Sequence, residues 1–242
     1  MNIFTAIGQF FTNWGAKLAS TFLEDDRYMM LVEGLRNTAI ITLGALCIGI
    51  VIGALVAIIK YCGEGNPAMK PLCVLCDIYT TVIRGIPVVV LLLIFYFVIM
   101  KSASGISGGI AVGIVTFGIN SGAYMAELMR SGIGTVDAGQ MEAGRSLGMS
   151  RIQTTIHVIL PQAIKSVLPS LVNEFISLLK NTTLIASIGL VDILSVGQRI
   201  QARTYRAFEP FFAIAVFYYV LVLGLSFLGK ALEKKVNASD RN

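Results

Sequence analysis

Five polar side chains stand among apolar residues between positions 166 and 191: Asn173, Glu174, Ser177, Lys180 and Asn181. At 100° per residue, with Asn173 as zero, they fall at about 0, 100, 40, 340 and 80 degrees, a helical sector roughly 120° wide. Leu171, Val172, Phe175, Ile176, Leu178 and Leu179 fall outside that sector. The chemistry on offer is recognition: Glu174 suits an ammonium or guanidinium group, and Lys180 suits a carboxylate. Charged groups at membrane depth are costly and face a cavity, a partner or water. Two plainer readings stand beside a cavity-facing stripe: a solvated juxtamembrane stretch, or a seam between helices. Earlier in the chain Asn120, Tyr124 and Glu127 share one helical side by their i, i+4, i+7 spacing, which makes Asn120 and Tyr124 further candidates for a polar path. Glu127 and Arg130 are placed to pair at i, i+3.

A second kind of chemistry, docking, is written in residues 142–161, EAGRSLGMSRIQTTIHVILP, a polar island between apolar stretches. Asp137 is placed to cap a short helix through Leu147, because its carboxylate accepts backbone N–H groups. Gly148 suits a helix stop with positive φ. Ser150 caps a second short helix, and Pro161 limits how far it runs. Such a helix–Gly–helix knob is a shape for an aqueous partner to grip; the alternative is an amphipathic loop lying on lipid headgroups.

The elements that position these groups follow from hydropathy. The chain has 242 residues, 55% hydrophobic and 14% charged, with a mean hydropathy of +0.77, which marks a polytopic membrane protein. The net charge of +5 is carried by scattered basic residues, which excludes a nucleic-acid surface. Residues 38–59 carry no charge and reach about 33 Å as a helix, enough to cross. Ala45, Gly49, Gly53 and Ala57 form a smooth ridge for close helix packing, unless they reflect only the abundance of glycine in membrane helices. Residues 60–77 read as a polar connection. The run 86–100 is short and must borrow from 78–85 or from beyond Met100. Gly85 and Pro87 bend it, and Arg84 is placed to snorkel to the interface. Further spans are read at about 106–128, 166–191 and 210–229, the last opening on Pro210, with a loop at 192–209. Residues 1–22, with Trp14, suit an interfacial helix.

Much chemistry is excluded. Cys73 and Cys76 have CxxC spacing but lack a second pair, and His157 is the single histidine, so no metal site is expected. There is no phosphate-binding GxxxxGK[ST] loop. One histidine supports no Ser/His/Asp constellation.

The island resembles the EAA loop of ABC-transporter permeases: Glu142, Ala143, Gly144, then Gly148, then Val158, Leu160 and Pro161 at matching spacing. Gly144 stands where the pattern has Ala, and Val158 where it has Ile. RGIPVVVLL (84–92), SGAYMAELMRSGI (121–133) and residues 160–189 extend the resemblance to the polar amino-acid (histidine/glutamine/arginine-type) branch, over roughly residues 30–230. It implies an all-α membrane protein of about five transmembrane helices with the type I importer (MetI-like) architecture. An N-terminal segment 1–30 would precede a permease domain 31–235 with a coupling loop 131–165, and a tail 236–242 would follow. Glu142, Ala143, Gly144, Arg145, Gly148, Arg151 and Pro161 would be the ATPase-coupling residues. Catalytic residues and cofactors are expected to be absent, with ATP and Mg held by two partner ATPase subunits. The other expected partners are a second permease, identical or similar, an extracytoplasmic binding protein and an amino-acid substrate. The expected location is the bacterial inner membrane, multi-pass, with a cytoplasmic C-terminus. Arg199, Arg203 and Arg206 then lie outside, against the usual charge bias, as a candidate docking patch. The competing reading is an ion-coupled secondary transporter or channel subunit, for which no internal repeat is visible; an inactive scaffold subunit is a third.

Overall fold

The computed structural model describes residues 12–13, 15–17, 20–102 and 105–238, so Trp14, most of the segment 1–22 and Arg241 lie outside the described residues. Every regular element among the described residues is a helix. The first long helix, α1 (Arg27–Gly63), begins inside the segment 1–30 and packs most extensively against α4 (Gly105–Gly134). The small-residue ridge explains that seam. Ala45, Gly49, Gly53 and Ala57 are all buried. A Cβ at Gly53 would stand 2.6 Å from Met125 Cβ, and one at Gly118 would stand 2.7 Å from Ile48 Cβ. The two backbones approach because neither carries a side chain there, and dispersion then holds them in a medium with no hydrophobic drive.

Between them lie α2 (Lys70–Gly85) and α3 (Val88–Ile94), the latter extended by a wide π turn at Phe95–Ile99. Pro67–Gly85 and Val88–Ile99 are bent by 103°. Ile86 is extended, with φ −98° and ψ 131°, as a residue before proline must be. The short apolar run thus gains its length from the preceding helix, bent where Gly85 and Pro87 placed the break. The polar connection expected at 60–77 is corrected. α1 runs to Gly63, a turn at Pro67–Met69 is capped by Asn66, and α2 takes over at Lys70. Pro71 stands in its first turn, where no N–H is missed.

After α4 come α5 (Ala138–Ser146) and α6 (Arg151–Thr154), which passes through a π turn at Thr155–Ile159 into α7 (Leu160–Asn181) and a 3₁₀ stretch at Thr182–Ile188. Pro161 therefore does not limit the second short helix, which continues as one rod from Arg151 to Ile188. The widened turn before Pro161, where the Leu160 N–H reaches back to the Thr155 carbonyl, relieves the crowding a proline ring brings.

The expected loop at 192–209 is corrected too. It holds α8 (Ile193–Thr204), followed by α9 (Phe208–Ala238). Asp192 caps α8 by accepting the N–H groups of Leu194 at 3.0 Å and Ser195 at 2.9 Å, and Ser195 Oγ accepts the Asp192 N–H at 2.8 Å. This reciprocal cap was legible as Asp192-x-x-Ser195. Burial pushes the Asp192 carboxyl up from the usual carboxylate range, against those hydrogen bonds. Asn37 donates to the Val191 carbonyl at 2.9 Å, and Gly34 lets α1 touch the Asp192 backbone.

Four described helices are long and apolar enough to cross a membrane, and the bent pair makes up to five. Ile41, Ala45, Leu92, Phe117, Leu178 and Ile185 form the core between α1, α3, α4 and α7 with its 3₁₀ end.

Candidate functional site

The bend at Gly85–Pro87 leaves a cavity of about 490 Å³ where α2, α3, α4 and α7 meet. The break supplies Arg84, α4 supplies Asn120 and Tyr124, and α7 supplies Glu174, Ser177 and Asn181. Ser121, fully buried, donates from Oγ to Glu174 Oε1 at 3.0 Å and fixes that carboxylate at the wall. The Arg84 guanidinium carbon lies 5.2 Å from the Tyr124 ring centroid, a cation–π contact. Arg84 thus lines the cavity, because the bend brings the end of α2 against α4. Asn173 and Lys180 do not line this cavity. Both are exposed on the adjacent side of α7.

Glu127 also lies away from the cavity. Its Oε2 accepts Arg130 Nε at 3.1 Å and Nη2 at 3.0 Å, the i, i+3 pair expected from spacing. Its Oε1 accepts Lys60 Nζ at 3.1 Å, and Lys60 reaches Asp77 Oδ1 at 2.7 Å. These ion pairs tie α1, α2 and α4 together. Residues so far apart in sequence gave no signal of it.

The knob is built as its caps required. Asp137 Oδ1 accepts the Gly139 N–H at 2.6 Å, Gly148 has φ +82°, and Ser150 with Gln153 forms a reciprocal cap. Gly144 is buried against α6: a Cβ there would run into the Thr154 Cγ2, with Thr154 Oγ1 only 2.7 Å away. The departure from Ala at this position is therefore a steric fit between the two arms. Arg145 Nη1 donates to the Met149 carbonyl at 3.2 Å, clamping the link, and the Arg151 guanidinium lies 5.9 Å from the Tyr61 ring centroid. Glu142 and Ala143 are exposed, and Pro161 stands at the root, at the start of α7. Leu147 is 83% and Ile152 70% exposed at the tip, large apolar groups on either side of the link from Gly148 to Ser150.

A helical membrane bundle with a polar cavity at a broken helix and an apolar-tipped knob beside it has the make-up of a transport permease. The chain belongs to the family described as Binding-protein-dependent transport system inner membrane component, which matches residues 49–238. It is 37% identical over 210 residues to a putative glutamine transport system permease protein of Rickettsia typhi, covering 87% of this chain and 94% of that one. It is 35% identical over 210 residues to the arginine transport system permease protein of Bacillus subtilis, with 87% and 94% covered. Among solved structures it resembles an amino acid ABC transporter crystallised with histidines, at TM-score 0.78 and 39% identity, over 88% of this chain and 98% of that one. The methionine transporter MetNI shares the fold at TM-score 0.75 and 22% identity, over 88% of this chain and 99% of that one. The all-α, MetI-like importer-permease architecture stands, and the chain is a membrane-spanning transport subunit, not an ion-coupled transporter.

Proposed function

We propose that this chain is the permease subunit of an ATP-driven importer of polar amino acids. The cavity carries the reading. Glu174 and Arg84 bring opposite charges to one 490 Å³ space, with the amides of Asn120 and Asn181 and the Ser177 hydroxyl between them. That set fits a zwitterion: Arg84 takes the carboxylate, and Glu174 takes an ammonium or guanidinium group. The glutamine and arginine named for the relatives belong to that substrate class.

Two cytosolic ATPases, holding ATP and Mg, grip the knobs through Leu147 and Ile152. Their closure draws the knobs together, and the cavity opens outward. The knob and the C-terminus lie on the cytoplasmic side of a bacterial inner membrane. A second permease, identical or similar, covers the exposed Asn173 and Lys180 face of α7. At the far end Arg27, Arg203 and Arg206 line a cleft with Glu24 and Ser20, and it receives an acidic edge of the binding protein.

The test is ATP hydrolysis and uptake of L-arginine and L-glutamine in proteoliposomes holding this chain, its ATPase and its binding protein. Hydrolysis stimulated by one of them is expected. It should be lost in Leu147→Asp/Ile152→Asp, whose exposed positions leave membrane insertion intact. Uptake driven by an ion gradient without any ATPase would sink the reading.

A further inference from the structure

We propose that the consecutive residues Lys60 and Tyr61 are the joint through which movement of the knob reaches the helices that line the cavity. The inference rests on the ATPase-driven reading above and adds positioning residues to it. Tyr61 holds the knob: its hydroxyl is 3.2 Å from Thr155 Oγ1, and its ring meets the Arg151 guanidinium. Both partners belong to the knob's second arm and the π turn that follows it. Lys60 holds the membrane helices, through Asp77 on α2 at 2.7 Å and Glu127 on α4 at 3.1 Å. Neighbours on a helix point about 100° apart, so one turn of α1 faces the knob with one residue and the cavity helices with the next.

The two grips of Lys60 are evenly spaced from the site. Arg84 lies seven residues beyond Asp77, and Asn120 lies seven residues before Glu127. On α-helices each separation is two turns, about 10 Å. Lys60 thus pins α2 and α4 at the same depth below the two cavity residues they carry. The Lys60 and Glu127 side chains are only 18% and 21% exposed, so water screens the pair little. The knob then has two outputs: its own rod into α7, which carries Glu174, and the joint into α2 and α4, which carry Arg84 and Asn120. Moving both together is what keeps the two charged walls of the cavity in step.

The experiment compares Lys60→Met, Lys60→Arg and Tyr61→Ala in the complete transporter in proteoliposomes. It reads co-purified ATPase, ATP hydrolysis, and uptake of radiolabelled L-arginine and, separately, L-glutamine. The expected result is retained ATPase association, with the ratio of amino acid imported to ATP hydrolysed falling at least about fivefold in Lys60→Met and Tyr61→Ala. Lys60→Arg should restore it, since a guanidinium spans two carboxylates. Uptake and hydrolysis falling in parallel at a constant ratio would reduce the pair to structural support and overturn the proposal. An unchanged ratio in both loss variants would overturn it as well. If the intact chain binds no ATPase, the underlying reading fails, an outcome distinct from either.

Discussion

In the proposed reading Glu174 and Arg84, which line one cavity, divide the recognition of a zwitterion between them, and their separate substitution tests which group meets which end. A charge-assisted hydrogen bond is worth about 1.5–3 kcal/mol, and each ~1.4 kcal/mol is tenfold. Glu174→Gln is expected to cut L-arginine uptake about 10- to 100-fold if it meets the side-chain cation, and L-glutamine uptake far less. Arg84→Gln should weaken both substrates alike, because both carry the same α-carboxylate. Equal loss of both in Glu174→Gln would place its partner at the α-ammonium instead. Periodicity alone put Glu174, Ser177 and Asn181 on one face, and the structure brings all three to the cavity. The same periodicity carried Asn173 and Lys180 with them, yet both stand exposed beside the cavity and do not line it. A helical wheel gives direction about one axis. The edge of a cavity is drawn by other helices, here by the bend that delivers Arg84.

At the scale of elements, local chemistry was the most legible. Asp137, Gly148 and Ser150 set the ends of the knob helices through their own turns, without help from distant residues. The fit of the two arms is a tertiary matter and rests on Gly144. Gly144→Ala pushes a methyl into Thr154 and is expected to cost about 1–3 kcal/mol, as overpacking does. Adding Thr154→Ala removes the colliding Cγ2 and Oγ1 and should return most of that loss. A thermal melt of the purified chain measures both; additive losses in the double variant would show that the arms do not meet there. Pro161 and α8 mark where local reading stopped. A proline signals a break, but a π turn ahead of it lets one helix continue. A polar segment with arginines reads as a loop until Asn37 and Gly34 give it a surface to fold on.

For the whole molecule, the exposed Asn173 and Lys180 side of α7 is the face proposed to meet a second permease, and an identical copy is the form tested first. Charged and amide groups within a crossing helix are costly to leave facing lipid, so Lys180 and Asn173 call for cover. Light scattering of the purified permease, corrected for detergent, is expected to give about twice the mass of one chain. With Cys47, Cys62, Cys73 and Cys76 replaced by alanine, Asn173→Cys should cross-link between copies under mild oxidation. Phe227→Cys, exposed on α9, should not. A dimer in which only Phe227→Cys cross-links would put the interface on the wrong helix.

By itself the sequence determined that this is a helical membrane protein, where its crossings fall to within a turn or several, where the chain bends, and how the knob is capped. Those properties depend on hydropathy summed along one segment or on hydrogen bonds within a few residues. Only the tertiary structure decided which polar groups share a space: Arg84 with Glu174, Ser121 with Glu174, Lys60 with Asp77 and Glu127, Tyr61 with Thr155. Each of those pairs joins different helices. Their meeting is set by how closely backbones approach along the Gly49–Gly53 ridge and by one 103° bend, and neither leaves a period in the sequence.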